Sequence, residues 1–251
     1  MPSKAEVIDY STDGSDHEHD AFRELRTIRQ KNSASVIITH LNINSYRYKF
    51  MEIGEILYDK LVDICFFTET KLDNTYNQAS FNVPDFKAFR NDRNNSGGGL
   101  IAYVRSNLPA RRRTDLEFET PIESIVLDVV LNNRKWAILG TYRPPSVNNN
   151  IFSDIFTRGL DRISTQFDNI LIAGDLNYDL SDKTKGATLL DLCDIFDLSS
   201  LVKSATCFMK NSVPSLVDVL LTNKPNYCCN VINFGCGTSD WHNDQGCHRQ
   251  G

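Results

Sequence analysis

Residues 169–180, NILIAGDLNYDL, decide how the rest of the chain is interpreted. The apolar run 170–173 has the length and β-branched content of a buried strand, and it stops at Gly174, where another stretch of backbone can pass close by. Asp175 and Asn177 are two residues apart, so an extended backbone places both side chains on one face, at a strand end where α/β sheets bind ligands. The stretch predicts a site for a water, a metal ion or a phosphate oxygen. The alternative is a simple turn closed by an Asx-type hydrogen bond.

Polar side chains also follow other apolar strands of the chain. Strand 36–41 is followed by Asn42 and Asn44, and strand 61–68 by Glu69. Asp218 interrupts the apolar run 216–222, and a buried carboxylate needs a cation or a hydrogen-bond donor. The full set of such residues is Asn42, Asn44, Glu69, Tyr142, Arg143, Asp175, Asn177, Asp218, Asp240 and His242. Acids, carboxamides, a tyrosine and a histidine on one edge suit phosphodiester hydrolysis, which needs a metal-binding carboxylate, an activated water and donors to the phosphate.

Hydrophobic periodicity predicts an α/β fold. The predicted strands are 36–41, 61–68, 85–90, 100–104, 124–131, 135–142, 170–173, 216–222 and 231–234, and the predicted helices are 21–31, 46–60, 151–167 and 186–196. The core faces of three helices are predicted as Phe22, Leu25 and Ile28; Phe50, Ile53, Ile56, Leu57 and Leu61; and Leu189, Leu190, Cys193 and Ile195. Asn132 and Asn133 predict a hairpin turn, which argues against a purely parallel sheet. Gly97, Gly98 and Gly99 lack the following helix and Lys-Ser/Thr of a P-loop.

Charge is concentrated at the amino terminus. The net charge of −5 comes entirely from residues 1–20, which hold six acids and one lysine, so the rest of the chain is neutral and its total charge does not distinguish function classes. We predict a mostly disordered acidic tail over 1–33 with a short helix, a domain over 34–244 and a frayed tail over 245–251. The triplet Arg111 to Arg113, with Arg90, Arg93 and Arg105, suggests either a phosphate-facing patch or a solvated loop.

The seven cysteines form an odd set without a disulfide framework spacing, and no apolar targeting segment follows Met1. Both features predict reduced thiols and an intracellular protein. Adjacent Cys228 and Cys229, followed by long gaps to Cys236 and Cys247, do not fit the usual spacing of a zinc site. No run approaches the roughly 18 apolar residues of a membrane span.

In order along the chain, the segments LNIN, TETKL, GGGLIAYV, TYRPP, IAGDLN, SLVDVLLTN and SDWH resemble the endonuclease/exonuclease/phosphatase superfamily, specifically the endonuclease domain of LINE-type (non-LTR) retrotransposons. The resemblance covers about residues 35–244. It implies a two-sheet α/β sandwich flanked by helices, the four-layer DNase-like fold, with the active site at one edge of both sheets. The implied activity is nicking of DNA in a Mg²⁺-dependent reaction, with Mn²⁺ as the alternative metal.

The resemblance also implies a role for each matching residue. Glu69 would bind the metal, with Asn44 beside it. Asp175 would activate the attacking water with Asn177 as its partner, while Asn42 and Tyr142 would hold the phosphate. His242 would contact the phosphate, oriented by Asp218, with Asp240 completing the closing segment. Arg143 and Thr206 would contact DNA.

Two departures from the family pattern affect the carboxyl end. Trp241 stands between Asp240 and His242, where most of the superfamily has Ser-Asp-His. The polar residues 243–251 replace an apolar final strand, so we predict a sandwich lacking that strand and a reading frame truncated or shifted after Asp244, without the reverse transcriptase expected downstream.

Three functions remain open from the sequence. The first is a DNA-nicking endonuclease, the second an inactive remnant of one, and the third an abasic-site nuclease or a phosphatase of the same superfamily. The predicted partner is DNA, with no membrane association, a monomeric state and nuclear residence implied by the substrate.

Overall fold

The computed structural model describes residues 5–10, 18–208 and 213–234, and these residues build two mixed six-stranded sheets that pack face to face. In chain order the strands are β1 Ala5–Tyr10, β2 Val36–Asn42, β3 Ile64–Thr68, β4 Phe86–Asn91, β5 Leu100–Arg105, β6 Ala110–Arg112, β7 Glu123–Leu131, β8 Arg134–Tyr142, β9 Ile170–Asp175, β10 Ser199–Ser200, β11 Asp218–Thr222 and β12 Cys228–Phe234. The first sheet has the order β12-β1-β2-β3-β5-β4, and the second the order β10-β11-β9-β8-β7-β6.

Four helices cover the outer faces of the sheets: α1 Glu18–Lys31, α2 Phe50–Tyr58, α3 Asn149–Ser164 and α4 Ala187–Ile195. Short 3₁₀ turns lie at Tyr46–Tyr48, Gln78–Phe81, Thr114–Leu116 and Pro225–Tyr227. One core joins α1 and α2 to the first sheet, a second joins α3 and α4 to the second sheet, and a third lies between the sheets. The result is the predicted four-layer α/β sandwich.

Parallel pairing near the middle of each sheet sets up the functional edge. β2 runs parallel to β3, and β8 runs parallel to β9, so the carboxyl ends of all four strands can meet at one edge of the sandwich. β7 and β8 form the predicted hairpin, and Asn132 and Asn133 at its turn have positive φ angles of 50° and 61°. Two consecutive left-handed residues are what a type I′ turn requires.

The tail predicted over 1–33 is corrected by the structure. Ala5–Tyr10 is a strand between β2 and β12 where disorder was predicted, and the predicted helix 21–31 starts earlier, at Glu18. Phe22, Leu25 and Ile28 lie in the first core, as their helical spacing predicted. These buried side chains tie the segment to the sandwich, because apolar area removed from water outweighs the polar composition around it.

Two predicted core positions are wrong. Phe50 is 49% exposed and Ile195 is 69% exposed, because each lies at the end of a helix that is shorter than predicted. Leu190 is only partly buried, whereas Ile53, Ile56, Leu57, Leu61, Leu189 and Cys193 are in the core. The predicted loss of a strand after Asp244 concerns residues outside the described ranges. None of the helices in the described ranges combines the length and apolar character needed to cross a bilayer.

Candidate active site

The candidate site lies where four strands end at one edge of the sandwich. Asn42 is the last residue of β2, Glu69 follows β3, Tyr142 ends β8 and Asp175 ends β9. The first two residues belong to one sheet and the other two to the other sheet. The site therefore straddles the boundary between the sheets.

Hydrogen bonds join these four side chains across that boundary. The Asn42 amide nitrogen donates to Oδ2 of Asp175 at 2.8 Å and lies 3.5 Å from Oε1 of Glu69. The Tyr142 hydroxyl donates to the same Glu69 oxygen at 2.9 Å. The network brings together the carboxylates, carboxamide and phenol that the sequence predicted at one edge.

Asp175 is only 4% exposed, so its carboxylate is almost completely removed from water. Burial raises its pKa to about 6, while the hydrogen bond from Asn42 opposes the rise. The backbone N–H of Asn177 donates to Oδ1 at 3.0 Å, which is the Asx-type bond of the alternative interpretation. The predicted Asx turn is therefore present, and it holds the carboxylate in place at the end of β9.

Gly174 explains how β9 reaches this position. A Cβ atom at Gly174 would lie 1.9 Å from the backbone oxygen of Thr141 on β8. No side chain fits in that space, so the close backbone passage predicted at this glycine is present.

A glycine loop supports Glu69 from behind. The backbone N–H groups of Thr70 and Lys71 donate to the carbonyls of Gly99 and Gly98 at 3.2 and 2.9 Å. Gly98 and Gly99 have positive φ angles of 68° and 88°. A Cβ at Gly99 would lie 2.4 Å from the Thr70 hydroxyl. The three-glycine run therefore supports the loop that carries Glu69, Thr70 and Lys71.

Left-handed backbone recurs among the site residues. Asn44, Glu69, Lys71 and Asn177 have φ angles of 47°, 53°, 52° and 51°. Non-glycine residues rarely adopt this conformation, and such positions cluster at functional sites. At these residues the backbone turns sharply as it leaves the strands, so their side chains no longer follow the alternation of the strands.

Asp218 lies directly opposite Asp175 in the antiparallel pairing of β11 with β9. Its Oδ1 is 3.5 Å from Nδ1 of His40, a buried residue of β2 that faces the second sheet. Nε2 of His40 lies 3.0 Å from the Thr68 hydroxyl. Burial lowers the pKa of His40, while Asp218 and Asp175 oppose that shift. Asp218 therefore faces the imidazole of His40, while the partner predicted for it, His242, lies outside the described residues.

His40 was not among the predicted site residues, although the sequence contains a signal for it. His40 precedes Asn42 by two positions in the same strand, so strand alternation places both on one face. Glu123 was missed as well. It accepts a hydrogen bond from the Gly99 N–H and pairs with Arg93 at 3.0 Å, and burial raises its pKa to about 7.

Tyr142 remains protonated over the physiological range. Burial and the neighbouring carboxylate of Glu69 both raise the pKa of its hydroxyl. A neutral phenol is a hydrogen-bond donor, so Tyr142 is able to serve Glu69 or a phosphate oxygen.

The donor chemistry of Glu69 and Asn44 fits a magnesium ion. Among the described residues no three His, Cys, Asp or Glu side chains are grouped to hold a metal by themselves. Mg²⁺ does not need such a group, since it binds through one or two carboxylates together with waters and substrate phosphates. Glu69 is partly exposed, and within the described chain only its Oε1 is engaged in hydrogen bonds. Oδ1 of Asn44 accepts a hydrogen bond from Lys71 and retains a second lone pair.

Arg143 occupies a different environment from the one predicted. It is 5% exposed, and its guanidinium donates to the carbonyls of Leu176, Asn177 and Val147. It also stacks on the Tyr178 ring at 4.2 Å. These contacts use the guanidinium inside the protein, so the predicted DNA contact is corrected to a structural role.

Thr206 is also buried, at 3% exposure, and its hydroxyl accepts hydrogen bonds from the N–H groups of Val217 and Asp218 at 3.1 and 3.0 Å. These two hydrogen bonds fix the start of β11. Thr206 therefore has a structural role in place of the predicted DNA contact. Asp240 and His242 lie outside the described residues.

The arginines that suggested either a phosphate-facing patch or a solvated loop form ion pairs with carboxylates in the described part of the chain. Ion pairs join Arg90 to Asp92, Arg93 to Glu123, Arg105 to Asp63, Arg111 to Asp128, Arg112 to Glu117 and Arg113 to Asp115. A guanidinium held by a neighbouring carboxylate offers less charge to a phosphate.

Comparison with solved structures identifies the fold. The endonuclease domain of TRAS1, a telomere-specific non-LTR retrotransposon, superposes with a TM-score of 0.58 at 13% identity, covering 73% of this chain and 82% of that domain. The 3′–5′ exonuclease NExo from Neisseria meningitidis gives 0.60 at 15% identity, with 76% and 88% covered. The Neisseria 3′ phosphatase NExo bound to a product DNA hairpin gives 0.58 at 15% identity, with 76% and 87% covered.

All three matches have the fold of the endonuclease/exonuclease/phosphatase superfamily, which the ordered sequence segments predicted. The chain therefore has this DNase-like fold. Neither the protein-family models nor the curated proteins give a match to the sequence.

Proposed function

We propose that this chain is a divalent-metal-dependent phosphodiesterase that nicks DNA. The observation that carries the proposal is the convergence of Asn42, Glu69, Tyr142 and Asp175 at one edge of two sheets, linked by hydrogen bonds of 2.8 and 2.9 Å. The set contains an acceptor for a water proton, a metal-binding carboxylate and two donors for phosphate oxygens.

Asp175 is the proposed general base. Its pKa, raised to about 6, lies close to neutral pH, where a base is both ionised and able to accept a proton. Asn42 and the Asn177 N–H each use one lone pair of the carboxylate, and the remaining lone pairs are available to a water. The water would lose its proton to Asp175 as its oxygen forms a bond to phosphorus. The bond from phosphorus to one sugar oxygen would break, and that oxygen would leave and take up a proton from solvent.

Glu69 and Asn44 are the proposed ligands of Mg²⁺ or Mn²⁺. When bound, the cation would supply positive charge against the charge that develops on the phosphate. Tyr142 would donate to a phosphate oxygen, and Asn42 would keep Asp175 oriented toward the water. We assign the final phosphate contact to His242, with Asp218 orienting its imidazole and Asp240 beside it.

Within the superfamily, we favour the retrotransposon-type endonuclease. The segments TETKL and TYRPP and the similarity to the TRAS1 domain support this branch. The Neisseria NExo structure bound to a DNA hairpin supports a DNA substrate equally well, but the NExo proteins are described as a 3′–5′ exonuclease and a 3′ phosphatase. The test must therefore separate nicking from end-directed reactions.

The test uses supercoiled plasmid, which has no ends. With Mg²⁺, we expect conversion to open circles that a chelator stops and that Glu69→Gln or His242→Ala reduces at least about 100-fold, the usual cost of losing one such catalytic contact. Glu24→Gln, the same change at an exposed position on α1, is the matched control and should leave nicking unchanged.

Two outcomes would contradict the proposal. Release of phosphate from a 3′-phosphorylated oligonucleotide without plasmid nicking would identify an end-directed phosphatase. A folded sample inactive on both substrates would identify the inactive remnant. Calorimetric titration with Mg²⁺ should show weaker binding to Glu69→Gln than to Glu24→Gln, which tests the metal assignment independently of activity.

A further inference from the structure

A cleft of about 510 Å³ lies beside the candidate active site, and apart from Asn44 its lining residues have no role in the chemistry proposed above. Its walls come from the loops after β2 and β3 and from the loop between β4 and β5, and they include Asn44, Arg47, Tyr48, Lys71, Tyr76 and Asn95. The cleft shares Asn44 with the proposed metal position. Its volume is in the range of pockets that hold a small ligand such as a nucleotide.

The cleft carries positive charge that the described chain does not neutralise. Many arginines of the described chain form ion pairs with carboxylates. They are Arg26, Arg29, Arg90, Arg93, Arg105, Arg111, Arg112, Arg113, Arg158 and Arg162. Within the described ranges, no carboxylate forms such a pair with Arg47 or Lys71. Lys71 binds the neutral oxygen of Asn44 and retains two N–H donors. Two cations facing one cleft select an anionic ligand.

Aromatic rings in the cleft indicate what else the ligand contains. Tyr48 is 59% exposed and Tyr76 is 37% exposed, and both residues line the cleft. Tyr76 packs edge-on against Phe81 at 6.4 Å, and Phe81 lies under the guanidinium of Arg90 at 4.2 Å. The ring of Tyr76 is thereby fixed while it lines the cleft. A positively charged groove with exposed aromatic faces is the arrangement that binds unstacked nucleotides.

We propose that this cleft binds a single unstacked nucleotide of the DNA strand, next to the phosphate that is cleaved. The base stacks on Tyr48 and Tyr76, and Arg47 and Lys71 hold the adjoining phosphate. Asn44 and Asn95 offer amide groups to the edge of the base. The inference rests on the proposed function, since it names the part of the substrate that flanks the reacting phosphate. It also gives the cleft a binding activity that does not depend on the metal.

The test measures binding of a short fluorescent oligothymidylate by anisotropy in the presence of a chelator. Tyr48→Ala should weaken binding about tenfold, the effect of losing one stacking partner. Tyr58→Ala removes an equally exposed tyrosine, 58% exposed on α2 and not part of the cleft, and should leave the affinity unchanged. Arg47→Gln should lower the slope of log affinity against log salt by about 0.7, the loss of one phosphate contact on a single strand. Lys183→Gln, at an exposed position before α4, should not change that slope.

Equal affinities for Tyr48→Ala and Tyr58→Ala would overturn the inference. Equal affinity of the wild-type protein for an oligonucleotide with abasic sugars would also overturn it, because the cleft would then bind phosphate alone. Failure of the proposed function gives a different result: the oligonucleotide binds with the expected sensitivity to Tyr48→Ala, but plasmid is not nicked. Nicking with no effect of Tyr48→Ala on binding would leave the endonuclease intact and remove the cleft from its substrate site.

Discussion

The side-chain amide of Asn42 donates a hydrogen bond of 2.8 Å to the carboxylate of Asp175, and this bond joins the two sheets at the candidate site. Without this donor, the free-energy cost of removing the Asp175 carboxylate from water would not be offset by the hydrogen bond from Asn42. Asn42 is therefore expected to act on the stability of the domain as well as on the charge state of Asp175.

Asn42→Ala should lower the free energy of unfolding by about 1–3 kcal/mol, the cost of an unsatisfied buried group. Urea denaturation measures this change. Asn150→Ala, at an exposed position of α3, is the control and should change stability by less than about 0.5 kcal/mol. Equal effects of the two substitutions would show that the bond between the sheets adds nothing to the fold.

Gly174→Ala should destabilise the domain by about 1–3 kcal/mol, as expected for overpacking. The new Cβ would meet the Thr141 backbone oxygen, which cannot move without separating β8 from β9. Gly54→Ala on α2 is the matched control, because its Cβ would have ordinary contacts of 3.6 Å with Tyr58. Alanine is the better helix former, so Gly54→Ala should raise stability by about 0.5–1 kcal/mol. A stable Gly174→Ala domain would contradict the close passage of the two strands.

Glu123 should make stability depend on pH. Its pKa is raised to about 7 in the folded protein, because burial outweighs the attraction of Arg93 and the Gly99 N–H. The folded state therefore holds the proton more tightly than the unfolded state. This contribution to stability is fully present below the unfolded pKa of about 4.5 and is lost as the pH rises through about 7.

Melting temperatures measured between pH 4.5 and pH 8 test this dependence on Glu123. Glu123→Gln keeps an acceptor for the Gly99 N–H but does not titrate, so its curve should be flatter than that of the wild type over this interval. Parallel curves for the two proteins would assign the pH dependence to other groups.

Arg143→Lys should reduce stability by about 1.5–3 kcal/mol, the range for a hydrogen bond to a charged group. A lysine ammonium cannot reproduce the planar fork that reaches three carbonyls and stacks on Tyr178. The salt dependence of DNA binding should stay unchanged, because the guanidinium is buried. Arg134→Lys, at an exposed position of β8, alters one exposed contact with the Tyr227 ring and should change stability by less than about 0.5 kcal/mol, with the salt dependence unchanged. A smaller salt slope for Arg143→Lys would restore the DNA contact predicted from the sequence.

The sequence predicted the strand-end residues well because alternation in a strand fixes which side chains share a face. Asn42, Glu69, Tyr142 and Asp175 follow apolar strands whose parallel pairing sends their ends to one edge. The burial of Arg143 and Thr206 was not predicted, because both residues lie outside the regular strands, where alternation no longer applies.

Other features depended on contacts that no local pattern records. The support that Gly98 and Gly99 give to the loop after Glu69 joins segments about thirty residues apart, and only tertiary pairing brings them together. His40 was missed for a different reason. It lies inside a strand and not at its end, where the predicted site residues are. Its spacing of two residues from Asn42 nevertheless places both side chains on the same face of the strand.

The residues of the site are far apart in the sequence, and the ribosome therefore synthesises them at different times. Asn42 and Asp175 are separated by 133 residues, so a growing chain carries Asn42 and Glu69 out of the ribosome long before their partners exist. Contacts of such separation form late and slowly, because a long loop must close first. During that interval the hydrogen bonds between Asn42, Glu69, Tyr142 and Asp175 cannot form. The same spacing that places the candidate site between two sheets thereby delays its assembly until β9 has been synthesised.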